Sequence, residues 1–500
     1  MDAPSAPVSP QLCSDLLAAA LLVPLGAAAL IPLGHKYPNL REAITILAAM
    51  MLALAVWLLL PWILAGARPR LTVTEVLPGL RLALAVEPLG MLFALVAGSL
   101  WLVNSVYSIG YMRAHHEPRQ TTFYVCFALA FSATMGVAFA ENLFTLFLFY
   151  EALTLSTFPL VTHNRDAAAM RSGRLYLLLL LGTSMGFFLP AIIATWLIGG
   201  TLSFVPGGIL AGTTDPLLTS GLLALYAFGI GKAALMPVHF WLPAAMVAPT
   251  PVSAFLHAVA VVKAGVFAIV KVVVYVFGLE TLAATGANEW LIFVACLSLL
   301  LASSIALMQE NLKARLAYST VSQLAYVVIG AALATSASVV GSGLQIVAHA
   351  AGKITLFFCA GAIQVAAHKT EIGDMVGLGR KMPITMTAFF IGSLSIIGLP
   401  PTGGMWSKWA LALSAIDAGY LIVAGVLMLS SLLSVAYLIP IVARAFFLPL
   451  PQSEAGVAVK IEEAPLPCLI ALCFTAALTI VLFFEAGSLE MLLEQIFTAP

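Results

Sequence analysis

GKAALMPVHFWLPAAMVAPTPVSAFLHAVAVVKAGVF, residues 231–267, is almost wholly apolar, yet it holds two lysines, two histidines and four prolines. An amine at the centre of a bilayer costs roughly 2.5–3.5 kcal/mol on insertion scales. Proline lacks an amide hydrogen and breaks a helix interior. The stretch therefore reads as a membrane crossing interrupted at Pro237, followed beyond the Pro249 and Pro251 turn by a second crossing. Backbone freed by such a break is tolerated at membrane depth only inside protein or along a wet cavity.

The rest of the chain fits that reading. Of 500 residues, 62% are hydrophobic and 9% charged, with a mean hydropathy of +1.07. Soluble domains run near 45–50% apolar and about 25% charged. Lys plus Arg and Asp plus Glu each total 22, so net charge gives no reason to expect a nucleic-acid partner. The six cysteines are scattered through apolar segments without a C-x-x-C pair, which offers no zinc or iron–sulfur motif. No metal and no cofactor is expected. The N-terminus opens with Asp2 and has no basic stretch, so a cleaved signal peptide is not expected.

A crossing helix needs roughly 20 apolar residues, and about fourteen such stretches can be counted. A second interruption, GLPPTGGMWSKW at 398–409, falls in the twelfth. Spans four to eight and nine to thirteen would each carry the break in fourth place. Two consecutive five-helix units must run in opposite directions, the inverted-repeat pattern of transporters. The expected fold is an all-α polytopic membrane protein with discontinuous helices seven and twelve. The expected domains are helices one to three (1–112), the first repeat (113–278), the second repeat (279–447), and a C-terminal loop with helix fourteen (448–500).

Odd-numbered loops hold most of the basic residues, among them Lys36, Arg113, Arg165, Lys369, Arg380 and Lys460, whereas even-numbered loops hold only Arg68, Arg70 and Arg81. The positive-inside rule then puts both termini outside, in a plasma or inner membrane.

The remaining cations lie within apolar spans. Glu151, inside FTLFLFYEALTLSTFPLV (144–161), is expected to pair with Lys232. A carboxylate beside a buried ammonium steadies its proton, and withdrawing the carboxylate loosens it. His239, His257 and Lys263 form a candidate relay beside the first break. Lys271, nearer the outer end of its span, is expected to snorkel to the interface. His349 and Lys353 are four apart and share a helix face. Lys408 follows the second break, and Lys313 is a candidate proton intake at the start of span ten. Arg315 beside it reads as an ordinary interfacial anchor.

LFYEALTLSTFPL, the opening stretch, NLKARLAYSTVSQLAYVVIG, HAAGKITLFF and GLPPTGGMWSKW resemble the antiporter-like membrane subunits of respiratory complex I, membrane-bound hydrogenases and Mrp-type cation/proton antiporters. The likeness covers roughly residues 85–445. It implies fourteen helices, two inverted repeats, and a proton-translocating role for Glu151, Lys232, His257, Lys263, Lys313, His349, Lys353 and Lys408. Two departures stand out. Ala244 and Val247 occupy positions where many members carry acids, and Trp409 follows Lys408 where some carry an acid.

A 500-residue chain of about fourteen spans resembles the smaller, D-type Mrp subunit or a middle antiporter-like subunit of complex I. The paired LHA and VVKAG segments look more like the Mrp and hydrogenase-associated branch, which favours Mrp. That implies a proton-translocating subunit of a Na⁺/proton antiporter, without a redox centre of its own, assembled with other membrane subunits. The alternatives are a proton-pumping subunit of an NADH–quinone oxidoreductase or hydrogenase, and a proton-coupled unit of inorganic-carbon uptake.

Overall fold

The computed structural model describes residues 10–77, 79–448 and 461–498. Lys460 and the N-terminal opening at Asp2 lie outside the described residues.

The described chain is mostly helical, and eleven of its helices are long and apolar enough to cross a membrane. They are α1 (Gln11–Gly34), α2 (Pro38–Leu64), α3 (Pro88–Ala114), α4 (Gln120–Ala138), α5 (Leu143–Val161), α6 (Ala167–Gly199), α9 (Thr250–Phe277), α10 (Glu289–Met308), α12 (Ser336–Ala367), α15 (Leu421–Phe447) and α16 (Leu466–Phe484). Shorter apolar helices are α7 (Pro216–Gly229), α8 (Val238–Val247) and α13 (Pro383–Ile397). Three further helices of more than ten residues are α11 (Leu312–Ala332), α14 (Gly404–Asp417) and α17 (Ala486–Thr498).

Polar residues fix where several helices begin. The Asn142 side chain accepts from the Thr145 amide at 2.8 Å to open α5, and Asp166 does the same for Ala169 at 2.6 Å in α6. Thr335 and Ser338 form a reciprocal capping box at α12. Such caps satisfy amides that the first turn leaves unpaired.

Burial sorts the helices into layers. Over their most apolar windows α9 and α12 are 100% buried, whereas α1, α6 and α16 are 33% buried. The core is thus built around α9 and α12, and the titratable residues of the apolar spans sit on or against these two helices.

Both expected interruptions are present. After α7, Ala234 takes a left-handed conformation with φ 52°, and α8 starts just beyond Pro237. The freed backbone groups find side-chain partners, as membrane burial requires. Trp241 Nε1 donates to the Gly231 carbonyl at 3.0 Å, the Lys232 amide donates to Tyr150 Oη at 3.0 Å, and the Met236 amide donates to Ser298 Oγ at 3.2 Å. Between α13 and α14, Gly398 has φ 90°. There the Gly403 amide donates to the Thr479 carbonyl at 2.8 Å.

One element departs from the all-α expectation. Between α2 and α3 the chain forms an antiparallel hairpin, β1 (Arg70–Leu77) with β2 (Leu80–Ala85), pairing Arg70 with Ala85 and Leu77 with Leu80. Valine and threonine alternate in LTVTEV beside the turn residue Gly79, a strand-and-turn pattern that a search for 20-residue apolar runs passes over. The hairpin is bonded to the α4–α5 junction, where the Ala85 amide donates to the Phe139 carbonyl at 2.7 Å and the Glu141 amide to the Ala83 carbonyl at 3.1 Å.

The core helix α9 meets the first break at a glycine. A Cβ on Gly265 would lie 2.2 Å from the Ala233 nitrogen and 2.3 Å from the Lys232 carbonyl carbon. These obstacles are backbone and cannot swing aside. Gly265→Ala is expected to destabilise the protein by about 1–3 kcal/mol, the usual scale of overpacking, read as a lower unfolding temperature in detergent. An unchanged temperature would show that α9 does not bear on the break.

Candidate functional site

The candidate site is a row of enclosed titratable side chains running from α5 to α14. Lys232, Lys263, Lys353 and His257 are fully buried, and Glu151 and Lys408 nearly so. Because an unpaired polar group in such a place is costly, each group's partners say what it is built to do.

Lys232 sits in the break after α7. Its Nζ donates to the Tyr150 carbonyl at 2.8 Å and to Thr154 Oγ1 at 2.6 Å, and lies 3.2 Å from the Tyr150 ring centroid. Two oxygen acceptors and an aromatic face suit an ammonium. The expected direct pair with Glu151 is not formed: no ion pair joins them, and neither Glu151 carboxylate oxygen has a protein hydrogen-bond partner among the described residues. The helical step explains it. Tyr150 and Thr154 are four apart and share one face of α5, and Glu151, one residue on from Tyr150, projects about 100° round the helix.

Lys263 on α9 hydrogen-bonds His349 Nδ1 on α12. This contact joins the two central helices through two groups that can each carry a proton. His349 and Lys353, expected on one face, are both directed into the row, and Lys353 Nζ donates to Ser319 Oγ at 2.6 Å. His257 lies in a π-helical turn, Phe255–Val259, a local widening often found at functional sites. Its ring packs 5.0 Å from that of Phe357, and neither ring nitrogen has a protein partner of hydrogen-bond geometry among the described residues. Lys408 donates to the Ile397 carbonyl at 3.1 Å and to Ser431 Oγ at 3.0 Å, so it also occupies the carbonyl that the second break sets free.

Between these amines lie neutral side chains that the sequence reading did not single out. Ser407 Oγ donates to Gln345 Oε1 at 2.6 Å, and Gln345 Nε2 donates to Gln323 Oε1 at 2.9 Å. Ser319 and Tyr437 share a hydrogen bond of 2.8 Å. Their signal was the run YSTVSQLAY in an otherwise apolar helix: so many hydroxyls and amides in one crossing point inward, toward partners.

Three sequence-based expectations change. Lys271 does not reach an interface. It is fully buried, ion-paired with Glu87, and donates to the Ala140 carbonyl at 2.6 Å. Arg315 is not a surface anchor. Buried at 7% exposure, it donates to the carbonyls of Gln309 at 2.6 Å and Leu307 at 3.2 Å, satisfying helix-end oxygens that α10 leaves open, and reaches across to the Tyr437 carbonyl of α15 at 2.9 Å. His239 packs its ring 4.2 Å from Phe240 and 6.1 Å from Tyr318, with no contact to another titratable group of the row.

Lys313, at the start of α11, donates to the Ala248 carbonyl at 2.7 Å and so ties α11 to the end of α8. Near it on the basic-loop face, Glu117 lies 2.9 Å from His115 Nδ1 and 3.5 Å from His163 Nε2.

Residues 140–434 match the family described as NADH:quinone oxidoreductase/Mrp antiporter, transmembrane. The chain belongs to this family. It is 32% identical to NADH-quinone oxidoreductase subunit N of Desulforudis audaxviator, with 89% of this chain and 88% of that protein covered. It is 32% identical to the A/B subunit of a probable K⁺/H⁺ antiporter of Rhizobium meliloti, where 68% of this chain but 33% of the relative is covered. The fold is similar to a chain of the Mrp complex from a Dietzia species, at TM-score 0.85, 20% identity and 97% coverage of each chain. A chain of the archaeal membrane-bound sulfane sulfur reductase matches at TM-score 0.85 and 22% identity, covering 97% of this chain and 98% of the other. This member of the family is therefore an antiporter-like subunit of the Mrp or complex I-like kind, and its relatives are subunits of multisubunit membrane assemblies.

The Glu117 cluster gives a measurable pH dependence. Burial pushes its carboxyl up, but the hydrogen bonds and charges of His163 and His115 outweigh that and hold it below the ordinary carboxylate range. A lowered folded value contributes stability above the unfolded value near about 4.3, lost as the pH falls through the folded value. Glu117→Gln is expected to lower the unfolding temperature at pH 6, with the gap to wild type closing below about pH 4. A gap independent of pH would refute the assignment.

Proposed function

We propose that the chain conducts protons sideways through the membrane interior, as a translocating subunit of a larger assembly. The observation that carries this reading is the Lys263–His349 contact. It bridges α9 and α12 in the middle of a row that begins at Glu151 and Lys232 and ends at Lys408. Glu151 and Lys232 act as the charge switch, His257 and Lys263 with His349 as the central relay, and Lys353 and Lys408 as the exit. Lys313 serves as an intake, with His239 along the approach.

The arrangement suits a switch. With Lys232 seated on Thr154 and the Tyr150 carbonyl, its charge is held by neutral acceptors and Glu151 is disengaged. Bringing the carboxylate to the amine would bind the proton more firmly, and withdrawing it again would free the proton for the next group. A buried ionic pair stabilises a fold poorly compared with apolar packing, so these charges are better accounted for by transport.

The finer architecture follows the same reading. Adding α11 to the eleven long spans, and counting α7 with α8 and α13 with α14 as one interrupted crossing each, supports fourteen crossings. The two interrupted crossings would then sit fourth in inverted repeats at 113–278 and 279–447, flanked by 1–112 and 448–500. The basic loops face the cytoplasm, both termini lie outside, and the host is the plasma membrane.

For the driving force we favour monovalent-cation exchange, with Na⁺ as the counter-ion and Mrp-type membrane subunits as partners. The second reading is a redox-driven proton pump. It draws support from the likeness to subunit N, which extends along nearly the full length of both chains. Subunits that co-purify with the native complex separate the two: small antiporter subunits favour exchange, flavin and iron–sulfur subunits favour the pump.

Glu151→Ala and Lys232→Ala are each expected to reduce proton transport in inverted vesicles by at least about tenfold, which is about 1.4 kcal/mol on the barrier, while the complex still assembles. Normal transport by either variant would remove the switch.

A further inference from the structure

The row described above leaves the ion pair of Lys271 with Glu87 unused. Lys271 lies on α9, eight residues beyond Lys263, so about 12 Å further along the same helix. The ammonium is fully enclosed. It is paired with Glu87, bonded to the Ala140 carbonyl, and 4.4 Å from the Phe204 ring centroid.

Glu87 is placed differently. Its side chain keeps 17% exposure, against 0% for Lys271. It opens on a cavity of about 130 Å³ lined by Arg68, Arg70, Glu141, Phe204, Tyr275 and Gln495, among others. That volume has room for several waters. The residues come from the α2–α3, α4–α5 and α6–α7 connections, the end of α9, and α17, so the cavity lies on the face opposite the basic loops. The charged and titratable groups around the pair are therefore Glu141, Arg68, Arg70 and Tyr275. Glu141 is itself engaged by Arg70 at 3.8 Å, with the arginine 72% exposed.

A carboxylate that water reaches thus stands directly against an amine that water does not. A static clamp has no need of a mouth open to solvent, and a proton passing between solvent and a dry interior needs this order of groups. We propose that Glu87 and Lys271 form the proton port of this chain on the face opposite its basic loops. The Glu87 carboxylate exchanges protons with solvent in the cavity and with the Lys271 amine, which stands about 12 Å along α9 from Lys263. This port rests on the proton-conducting reading above and adds to it a site in the first half of the chain, apart from the exit at Lys408.

The test uses the intact membrane complex reconstituted in proteoliposomes. Lys271→Arg keeps the ion pair but installs a group that stays charged at working pH. The double variant Glu87→Gln, Lys271→Met removes both charges together, a change that buried clamps generally tolerate. Each is expected to assemble and to lose at least about tenfold in proton transport. Wild-type rates in either assembled variant would overturn the port. A third arm leaves the pair intact. Gln495→Cys, at the cavity rim, is labelled with a bulky, membrane-impermeant maleimide and compared with the equally treated native complex. Labelling is expected to block transport, and undiminished transport after complete labelling would overturn the port. If these variants transport normally while Glu151→Ala does not, the port alone fails. If the native complex moves no protons, the underlying reading fails.

Discussion

An ammonium inside a membrane has to be surrounded by acceptors, and this fold is arranged around meeting that demand repeatedly. Every enclosed lysine of the row has a partner: Thr154 and a carbonyl for Lys232, His349 for Lys263, Ser319 for Lys353, and a carbonyl with Ser431 for Lys408. The helix breaks belong to the same solution. In a continuous helix the carbonyls are already engaged along the helix, so interrupting one beside a lysine leaves a carbonyl free to accept. Lys408 takes its carbonyl from such a break. Lys232 sits inside the other, while Trp241 closes the carbonyl left at Gly231.

The two halves meet the demand with different chemistry. Around α5 and the α2–α3 connection, carboxylates stand near the amines, as Glu151 and Glu87. Around α12 and α14 the partners are serine, tyrosine, glutamine and backbone, and among the described residues no carboxylate comes within ion-pair distance of Lys263, Lys353 or Lys408. On the proposed pathway, a proton in the second half would move among neutral acceptors and other amines, where mutual repulsion between cations takes the place of attraction to an anion.

Much of this was legible in the sequence because burying charge in apolar runs is so improbable. The interruptions at Pro237 and at Gly398 to Gly404, the shared face of His349 and Lys353, and the membrane class all follow from residue type and spacing. What was hidden depends on rotation and on distant partners. A one-residue step turns Glu151 away from the Lys232 amine. Lys271 looked like a snorkelling side chain because Glu87, nearly two hundred positions earlier, could not be seen beside it. The β1–β2 hairpin alternates over too few residues to register against long apolar helices, and Gln323, Gln345 and Ser407 gain meaning only when three helices meet.

The hairpin has a mechanical consequence. Besides the bonds already noted, the Ala83 amide donates to Thr145 Oγ1 at 3.1 Å and Asn142 Nδ2 to the Arg81 carbonyl at 2.9 Å. The first turn of α5 is thereby stitched to an extended ribbon on both sides of its cap, while Glu151 lies about 12 Å down the same helix. These bonds at its head resist sliding of α5 along its axis, so a motion that brought Glu151 to Lys232 would have to be a turn about that anchored end, like a key held in its lock.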